Sequence, residues 1–296
     1  MPLLLEAMNK KVLKEIEKQG KTKMVKFATK ISNFLLKFGI DIRRKLFKDI
    51  INQLGGLRMA VSGAAGIDKT VVENFTNFGI KTVQGYGLTE TSPVITAEND
   101  ENIRYGSVGY PLKGEEVKIF EPNEQGVGEI IAKGPNIMLG YFENEEATKE
   151  VLVDGWFHTG DLGYVDKDGF FFITGRKKNV IVMKNGKNIY PEELEALITK
   201  LPYVAENIVF GIPTKENDLD LAAKIVYNKE YVEEIFGKIS KKELKEKIWQ
   251  DIKVINKTMP PYKYIRKIIV TDEPMIKTTT QKVKRFEEIK KILNEK

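Results

Sequence analysis

Three short polar turns lie close together between Trp156 and Glu195, and their side chains are of types that bind ligands. They are Thr159-Gly160-Asp161, Gly175-Arg176-Lys177-Lys178 and Lys184-Asn185-Gly186. A carboxylate such as Asp161 offers two acceptor oxygens that suit a diol, and a guanidinium such as Arg176 offers a planar fork of donors for hydroxyls or phosphate. Solvated turns are common on protein surfaces, so the spacing alone leaves open a charged surface hairpin as well as a binding site.

A β-hairpin is the element that would position the first two turns. The apolar segment Phe170 to Ile173 follows Gly163-Tyr164-Val165 across the turn Asp166-Lys167-Asp168-Gly169, in which glycine occupies the tight position. We therefore expect Asp161 and Arg176 at the two mouths of one hairpin, where they could face the same ligand.

The residue inventory limits the chemistry that is open to this chain. The 296 residues include no cysteine and a single histidine, His158, which excludes disulfides, thiolate metal sites, cysteine nucleophiles and multi-histidine metal sites. Chemistry must therefore rest on carboxylates, lysines, arginines, hydroxyls and backbone dipoles. A hydrophobic fraction of 42% with 30% charged residues is typical of a soluble globular chain, and no run of eighteen apolar residues predicts a membrane span.

Positive charge is concentrated at the two ends of the chain, although the net charge is only +6. Residues 1–50 and residues 241–296 each carry a net charge of +8, and residues 51–240 carry −10. Basic ends around an acidic middle could attract nucleic acid or an anionic lipid surface. Lysines spread along helices more often form a solvated face, and the sequence leaves both interpretations open.

Residues 3–53 are predicted to be helical. The apolar residues that recur at the spacing of one helix face are Phe27, Ile31, Phe34, Leu35 and Phe38. We expect them to form a buried stripe, with the intervening lysines in solvent. Gly39 interrupts this pattern, and a second stripe begins at Ile42. Such helices need a partner surface, so exposed faces here favour self-association.

A predicted strand, Leu57 to Val61, runs into the segment Ser62-Gly63-Ala64-Ala65-Gly66-Ile67-Asp68-Lys69-Thr70. The segment fails to match the phosphate loop G-x-x-x-x-G-K-[ST], because Asp68 stands where the second glycine is needed and would repel phosphates. Asp68 is better explained as the N-cap of a helix whose inner face carries Val71, Val72 and Phe75. The small residues Gly63, Ala64 and Ala65 would let a flat ring lie close to the backbone.

The segment Val83-Gln84-Gly85-Tyr86-Gly87-Leu88-Thr89-Glu90-Thr91 combines two glycines with an aromatic ring, a hydroxyl and a carboxylate. Such a turn can place a ring platform at Tyr86, a phosphate donor at Thr89 and a Mg²⁺ ligand at Glu90.

The chain is predicted to form two domains. Residues 1–176 are expected to be helical up to residue 54 and then a mixed sheet with helices, and residues 177–296 to be a small separate α/β domain. In the second domain, strands are predicted at 180–183, 204–210, 222–227 and 265–270, and helices at 191–201 and 240–256. The helix at 240–256 opens with a capping box of Ser240 and Glu243. A polar loop, Lys277 to Arg285, and a basic helix end the chain.

Six motifs occur in an order that resembles a known family. They are SGAA (Ser62–Ala65), YGLTE (Tyr86–Glu90), GEIIAKGPNIMLGY (Gly128–Tyr141), FHTGDLG (Phe157–Gly163), GRKKNVIVMKNGKNIYPEELE (Gly175–Glu195) and TTTQKVKR (Thr278–Arg285). Together they resemble the adenylate-forming (AMP-binding) acyl-CoA synthetases, most closely the long-chain fatty acid–CoA ligases. The resemblance runs along the whole chain. It implies an α/β fold: the C-terminal part of a large mixed α/β adenylate-forming domain, followed by a small α/β (α+β) lid domain.

The resemblance implies ATP-dependent formation of an acyl-adenylate and then of an acyl-CoA thioester, with ATP/AMP, Mg²⁺ and coenzyme A as ligands. It implies that Gly63, Ala64 and Ala65 line the adenine and that Tyr86, next to Gly87, stacks on it. Thr89 would contact the α-phosphate and Glu90 would hold Mg²⁺. Asp161, helped by Arg176, would bind the ribose hydroxyls.

Three further assignments concern the small domain. Lys282 matches the lysine that the family's lid brings to the carboxylate, the α-phosphate and the bridging oxygen, although Gln281 stands where the family usually has glycine. Lys178 falls at the position where the family's domains hinge. The turn Lys184-Asn185-Gly186 resembles the loop that approaches the pantetheine of CoA.

The family's glycine- and threonine-rich pyrophosphate loop is not found before Leu57, so we expect that this polypeptide alone does not carry out efficient adenylation. The expected partners are a fatty acid, ATP and CoA, a separate N-terminal half or a second copy bound through residues 1–54, and a membrane surface, with no specific nucleic acid. The expected location is cytoplasmic, with peripheral membrane contact. Two alternatives stay open, a non-catalytic nucleotide- or CoA-binding module and an acyl–carrier-protein synthetase.

Overall fold

The computed structural model describes residues 2–63, 67–214, 218–279 and 282–294, with side chains from Leu4 onward. The chain divides into two compact units, Met1–Ile173 and Thr174–Lys296. We call them the N-terminal unit and the C-terminal unit. The sequence placed the domain boundary after Arg176, whereas this division falls between Ile173 and Thr174, inside a strand.

Four helices open the N-terminal unit, in agreement with the predicted helical segment. They are α1 (Pro2–Lys18), α2 (Thr22–Leu36), α3 (Arg43–Leu46) and α4 (Lys48–Gln53). Their core contains Val12, Ile16, Phe47 and Phe78, against which Val25 and Ala28 of α2 pack. The rings of Phe47 and Phe78 meet edge to face with centroids 5.2 Å apart. These contacts fix the helices onto the sheet that follows them.

The predicted buried stripe on α2 was wrong. Phe27, Phe34 and Phe38 are 60–67% exposed and Ile31 is 40% exposed. The helix packs instead through the face that carries Val25, Ala28 and the fully buried Ser32. Asn33 fixes this face by donating its side-chain N–H to the Asn77 side-chain oxygen at 2.9 Å. Periodicity identifies an apolar face, but it does not say what covers that face.

A parallel strand pair, β1 (Met59–Ser62) and β2 (Lys81–Tyr86), forms one side of the first sheet. The sheet continues with β3 (Thr96–Ala97) and β4 (Tyr110–Pro111), in that spatial order. Helix α5 (Lys69–Asn77) crosses over from β1 to β2 and buries Val72 and Phe75 completely. The predicted cap is confirmed, since the Asp68 side chain accepts from the Thr70 backbone N–H at 2.7 Å. The crossover brings the carboxyl ends of β1 and β2 to the same edge of the sheet.

A second sheet completes the N-terminal unit. It contains β5 (Glu116–Phe120), β6 (Gly128–Lys133), β7 (Leu152–Val153), β8 (Trp156–Val165) and β9 (Phe171–Arg176), with α6 (Glu145–Val151) before β7. The order is β5-β6-β8-β7, and β9 pairs with β8. The predicted β8–β9 hairpin is confirmed: its turn closes through the Asp166 N–H and the Phe170 carbonyl at 2.9 Å, with Gly169 at a φ of +88°.

The C-terminal unit is built on a three-stranded sheet. Its elements are β10 (Ile181–Val182), β11 (Asn188–Ile189), α7 (Pro191–Ile198), β12 (Val204–Pro213), β13 (Leu219–Tyr227), α8 (Lys229–Phe236), α9 (Lys241–Asn256), β14 (Ile265–Thr271) and α10 (Arg285–Asn294). Strand β13 lies between antiparallel β12 and parallel β14. The predicted capping box of Ser240 and Glu243 opens α9.

A buried ion pair joins the last helix of the C-terminal unit to the central strand. The Lys224 ammonium on β13 lies 2.5 Å from a Glu288 oxygen on α10, and their side chains are 7% and 1% exposed. The other Glu288 oxygen accepts from the Ile276 backbone N–H at 3.0 Å. The carboxylate therefore ties the helix, the sheet and the segment before Lys282 together. Among the described residues, none of the helices combines the length and apolar character that crossing a membrane requires.

Candidate active site

Tyr86 and Asp161 come into direct contact although 75 positions separate them in the sequence. The Tyr86 hydroxyl, at the end of β2, donates to the Asp161 Oδ2 atom on β8 at 2.7 Å. The exposed fractions of the two residues are 8% and 5%. The structure thus joins the YGLTE motif to the FHTGDLG motif through a buried hydrogen bond.

A bulge in β8 carries Asp161. Strand β6 pairs Glu129 with Leu162 and Ile131 with His158, so three residues of β8, Thr159 to Asp161, stand opposite the single residue between them on β6. Gly160 has a φ of +69°, which L side chains rarely adopt. The Thr159 hydroxyl donates to the Ile130 carbonyl at 2.7 Å and accepts from the Asp161 backbone N–H at 3.0 Å. A bulge re-aims the side chain that it carries, which here is Asp161.

Glu129 holds this bulge from the neighbouring strand. One of its oxygens accepts from the Gly160 N–H at 3.0 Å, and the other lies 3.2 Å from the His158 Nδ1 atom. Its side chain is only 6% exposed. Sequence analysis did not assign Glu129 to the site. The available signal was a carboxylate at the start of the otherwise apolar strand segment Gly128 to Ala132.

Gly87 shapes the turn that follows Tyr86. A β-carbon at this position would lie 1.9 Å from the Pro93 carbonyl oxygen and 2.7 Å from the Val94 Cα atom, so only glycine fits. A single 3-10 turn, Thr89–Thr91, comes next. The buried Thr91 closes it, because its hydroxyl oxygen accepts from the Leu88 N–H at 2.9 Å. This closure fixes the backbone that presents Thr89 and Glu90.

Glu90 connects the same turn to the GEIIAKGPNIMLGY motif. Its side chain accepts from the Tyr141 hydroxyl at 2.9 Å, and its carbonyl accepts from the Met138 N–H at 2.8 Å. Burial, followed by the hydrogen bond and charge of Glu90, raises the pKa of Tyr141. Tyr141 was not predicted as a site residue. Within the described ranges, no three acidic or histidine side chains group into a metal cage.

The strand face that carries Tyr86 holds two buried polar atoms without hydrogen-bond partners among the described residues. Ser62 on β1 and Gln84 on β2 are paired in register, and Gln84 shares a face with Tyr86 because residues i and i+2 of a strand point the same way. The Ser62 hydroxyl and the Gln84 side-chain nitrogen lack partners, and the residues are 1% and 7% exposed. A buried polar atom without a hydrogen-bond partner lowers the stability of the fold unless a ligand or a water molecule supplies the missing hydrogen bond.

Gly63 and Gly85 come close to each other next to this face. A β-carbon on Gly63 would lie 3.3 Å from the Gly85 carbonyl oxygen, which is a tight but tolerable contact. The predicted site residues Ala64 and Ala65 lie outside the described residues.

The C-terminal unit presents its predicted site residues in three places. Arg176 is the half-buried last residue of β9, and Lys178 lies exposed in the 3-10 turn Lys177–Asn179. The exposed turn Lys184-Asn185-Gly186 joins β10 to β11, and Gly186 has a φ of +75°. The Gly186 N–H donates to the Met183 carbonyl at 2.9 Å. The glycine turn predicted at this position is present, and it joins two antiparallel strands. The hinge and CoA assignments stay predictions.

Two hydrogen bonds to Thr278 hold the backbone of Lys282. Its carbonyl accepts from the Thr278 N–H at 2.8 Å, and its own N–H donates to the Thr278 hydroxyl at 3.1 Å. Two glutamates brace the segment before it, since Glu206 accepts from the Met275 N–H at 3.0 Å and Glu288 accepts from the Ile276 N–H at 3.0 Å. The Lys282 side chain is exposed. Gln281, the departure from the family's glycine, lies outside the described residues.

Two family matches cover most of the chain. Residues 3–142 match the AMP-binding enzyme family, and residues 178–293 match the AMP-binding enzyme C-terminal domain. The chain is 38% identical over 169 residues to a long-chain-fatty-acid–CoA ligase of Mycobacterium bovis, covering 57% of this chain and 27% of that protein. It is 36% identical over 249 residues to 4-coumarate–CoA ligase-like 4 of Oryza sativa subsp. japonica, covering 80% and 42%.

A solved structure shows the same fold. The o-succinylbenzoate CoA synthetase of Bacillus subtilis, in complex with its acyl-adenylate intermediate, superimposes with a TM-score of 0.67 at 29% identity. The superposition covers 82% of this chain and 49% of that one. The chain therefore spans less than half the length of these relatives. The matches fall in family order along both units, and the chain belongs to the AMP-binding enzyme family, whose members among its relatives are CoA ligases.

Proposed function

We propose that the chain contributes to an ATP-dependent acid–thiol ligase whose acid is a long-chain fatty acid. In this reaction the fatty carboxylate attacks the α-phosphorus of ATP and releases pyrophosphate, and the CoA thiol then attacks the acyl carbon and releases AMP. The observation that carries the proposal is the buried contact between Tyr86 and Asp161. It places an aromatic ring and a carboxylate together, which are the groups that a nucleoside requires.

The N-terminal unit fits an adenylate. Asp161 would accept from the two ribose hydroxyls, because an ionised carboxylate has lone pairs for both as well as for the Tyr86 hydroxyl. The Tyr86 ring would support the adenine. The Ser62 hydroxyl and the Gln84 amide nitrogen, buried without partners on the same strand face, could be satisfied by the edge of a purine.

The phosphate end fits Mg²⁺ and a phosphoryl group. Mg²⁺ is usually bound through one or two carboxylates together with substrate phosphates and water, so the single carboxylate of Glu90 suffices as the protein ligand. The Thr89 hydroxyl, one residue earlier in the turn, would donate to the α-phosphate. Lys282 would add a positive charge where negative charge develops, Lys178 would serve as the pivot, and Lys184-Asn185-Gly186 would meet CoA.

The acyl group is the finer part of the proposal. The motifs resemble the long-chain fatty acid–CoA ligases most closely, and the Mycobacterium bovis relative is named for that substrate. The rice and Bacillus subtilis relatives are named for other acids. Comparing the affinities of palmitoyl, coumaroyl and o-succinylbenzoyl adenylate mimics would therefore test the substrate class separately from nucleotide binding.

Replacing Asp161 with alanine is expected to weaken binding of a non-hydrolysable palmitoyl-adenylate mimic by about 10- to 150-fold. The reason is that the ribose hydroxyls lose charged hydrogen bonds of about 1.5–3 kcal/mol. Isothermal titration calorimetry measures this without turnover. Glu124→Ala, which removes an exposed carboxylate, is the matched control and should bind like the wild type. Equal affinities for wild type and Asp161→Ala would contradict the proposed nucleotide site.

Replacing Gln84 with methionine is expected to separate ligand binding from stability. The change removes a buried amide nitrogen that lacks a partner, so the free energy of unfolding should stay level or rise by up to about 2 kcal/mol. The affinity for the adenylate mimic should fall about tenfold, because one hydrogen bond to the base is lost. Denaturant unfolding and calorimetry on the same protein measure the two effects. A variant that binds as tightly as the wild type would show that Gln84 does not contact the base.

A further inference from the structure

Helix α2 has two apolar faces, and the fold covers only one of them. Val25, Ala28 and Ser32 pack onto the N-terminal unit. On another side of the helix, Met24, Phe27, Ile31 and Phe34 are 58%, 66%, 40% and 60% exposed. Phe38, just beyond the helix, is 67% exposed, and its ring lies edge-on to that of Phe34 at 5.2 Å. We call these five residues the apolar row.

The apolar row is contiguous, which separates it from ordinary exposed apolar side chains. At about 100° per residue, its four helical members fall within about 80° of one another around the helix. Single exposed apolar residues are common, whereas a continuous row of large ones marks a surface that meets another apolar phase. Three of the five side chains are phenylalanine, a residue type that inserts well at the boundary between lipid headgroups and acyl chains.

A band of lysines borders the apolar row. Lys23, Lys26 and Lys30 are exposed, and at about 100° per residue they lie within about 60° of one another on one side of it. Helix α2 contains no acidic residue. Among the described residues, none of the three ammonium groups has an ion-pair partner. The helix therefore combines an apolar arc with an unneutralised cationic arc.

This combination selects among the surfaces that could cover the helix. A second copy bound through a twofold axis would bring the same patch against itself, lysines included, and would meet charge repulsion. A nucleic-acid backbone would neutralise the lysines but would leave the apolar row in water. A separate N-terminal half would satisfy both arcs only if its own surface carried acidic residues next to an apolar face. An anionic lipid surface satisfies both arcs, because its headgroups attract the lysines and its acyl boundary accepts the phenylalanines.

We propose that α2 docks this protein on an anionic membrane surface, lying in the plane of the headgroups with the apolar row inserted. The proposal rests on α2 alone and is independent of the proposed ligase function. It predicts binding to vesicles that requires both anionic lipid and the apolar row.

Co-sedimentation of the full chain with vesicles tests the proposal. We expect binding to vesicles of equal parts phosphatidylcholine and phosphatidylglycerol, at least tenfold weaker binding to pure phosphatidylcholine, and weakening by salt because the lysines are screened. The double variant Phe27→Ser/Phe34→Ser should lose at least about tenfold in affinity. Lys23→Gln, Lys26→Gln and Lys30→Gln should each lose about fivefold.

The control variants are Phe142→Ser and Phe286→Ser, which remove side chains that are 91% and 81% exposed outside α2 and should leave vesicle binding unchanged. All the substituted residues are exposed, so circular dichroism and thermal unfolding should match the wild type. The proposal is overturned if the wild type does not bind anionic vesicles, or if the double variant binds them equally well. It is also overturned if light scattering shows a dimer that the double variant dissolves while vesicle binding is absent, since the occupant would then be a second copy.

Discussion

Replacing Glu288 with alanine is expected to lower the free energy of unfolding of the C-terminal unit by about 3–5 kcal/mol. The substitution leaves the Lys224 ammonium buried without its counter-ion, and an uncompensated buried charge is costly. It also removes the acceptor of the Ile276 N–H. Of the two tryptophans in the chain, Trp249 lies in this unit, so urea unfolding followed by fluorescence in a Trp156→Phe background measures the loss.

The neighbouring residue provides a matched control. Glu287 pairs with Lys284 at 2.9 Å, but both side chains are about half exposed, at 53% and 42%. Solvated pairs of this kind contribute less than about 1 kcal/mol, so Glu287→Ala should leave unfolding nearly unchanged. Similar losses for Glu288→Ala and Glu287→Ala would show that the buried pair adds little to stability.

The stabilisation by the Glu288 carboxylate is expected to be lost at low pH. Burial of the Glu288 carboxyl raises its pKa, but the hydrogen bond from Ile276 and the hydrogen bond and charge of Lys224 outweigh burial, so the pKa lies below its usual value of 4.5. A carboxyl whose pKa is lowered by folding stabilises the protein above its unfolded-state pKa, and this contribution is lost as the pH falls through the folded-state pKa. The stability difference between wild type and Glu288→Gln should be constant at about pH 6–8 and should shrink below about pH 4.5.

Replacing Gly87 with alanine is expected to destabilise the N-terminal unit by about 3 kcal/mol and to abolish binding of the adenylate mimic. The new methyl group would lie 1.9 Å from the Pro93 carbonyl oxygen, so the backbone must move, and overpacking of this kind costs about 1–3 kcal/mol or more. Displacement of the turn Thr89–Thr91 would carry Thr89 and Glu90 with it. Trp156 fluorescence in a Trp249→Phe background and calorimetry report the two effects.

A graded control is available at Gly63. Its β-carbon would meet the Gly85 carbonyl oxygen at 3.3 Å, a contact that a shift of a few tenths of an ångström relieves. Gly63→Ala should therefore cost less than about 1 kcal/mol of stability. If Gly87→Ala is no more harmful than Gly63→Ala, the turn after Tyr86 accommodates a methyl group by moving its backbone at little cost.

Helix caps and tight turns could be predicted from the sequence. The cap at Asp68, the capping box of Ser240 and Glu243, and the glycine turn at Gly169 each depend on residues within a few positions, and the structure confirms all three. Motif order identified the family for the same reason, because a motif is a local pattern.

Contacts between distant positions could not be read from spacing. Tyr86 and Asp161 are 75 positions apart, and Lys224 and Glu288 are 64 apart, so no periodicity links either pair. Glu129 was missed because its role depends on a bulge in the opposite strand. The row containing Phe27 and Phe34 was assigned to the core because periodicity reports that a face is apolar and not which phase it meets.

The hydrogen bonds that hold Lys282 do not involve its charged ammonium group. Among the described residues, every hydrogen bond that holds this position passes through its backbone N–H or carbonyl group. The ammonium group contributes nothing to these hydrogen bonds, so a change of charge at this position leaves the local backbone in place. At Lys224, by contrast, the ammonium group is part of the buried ion pair that joins α10 to the sheet, so its charge cannot be removed without disturbing the fold.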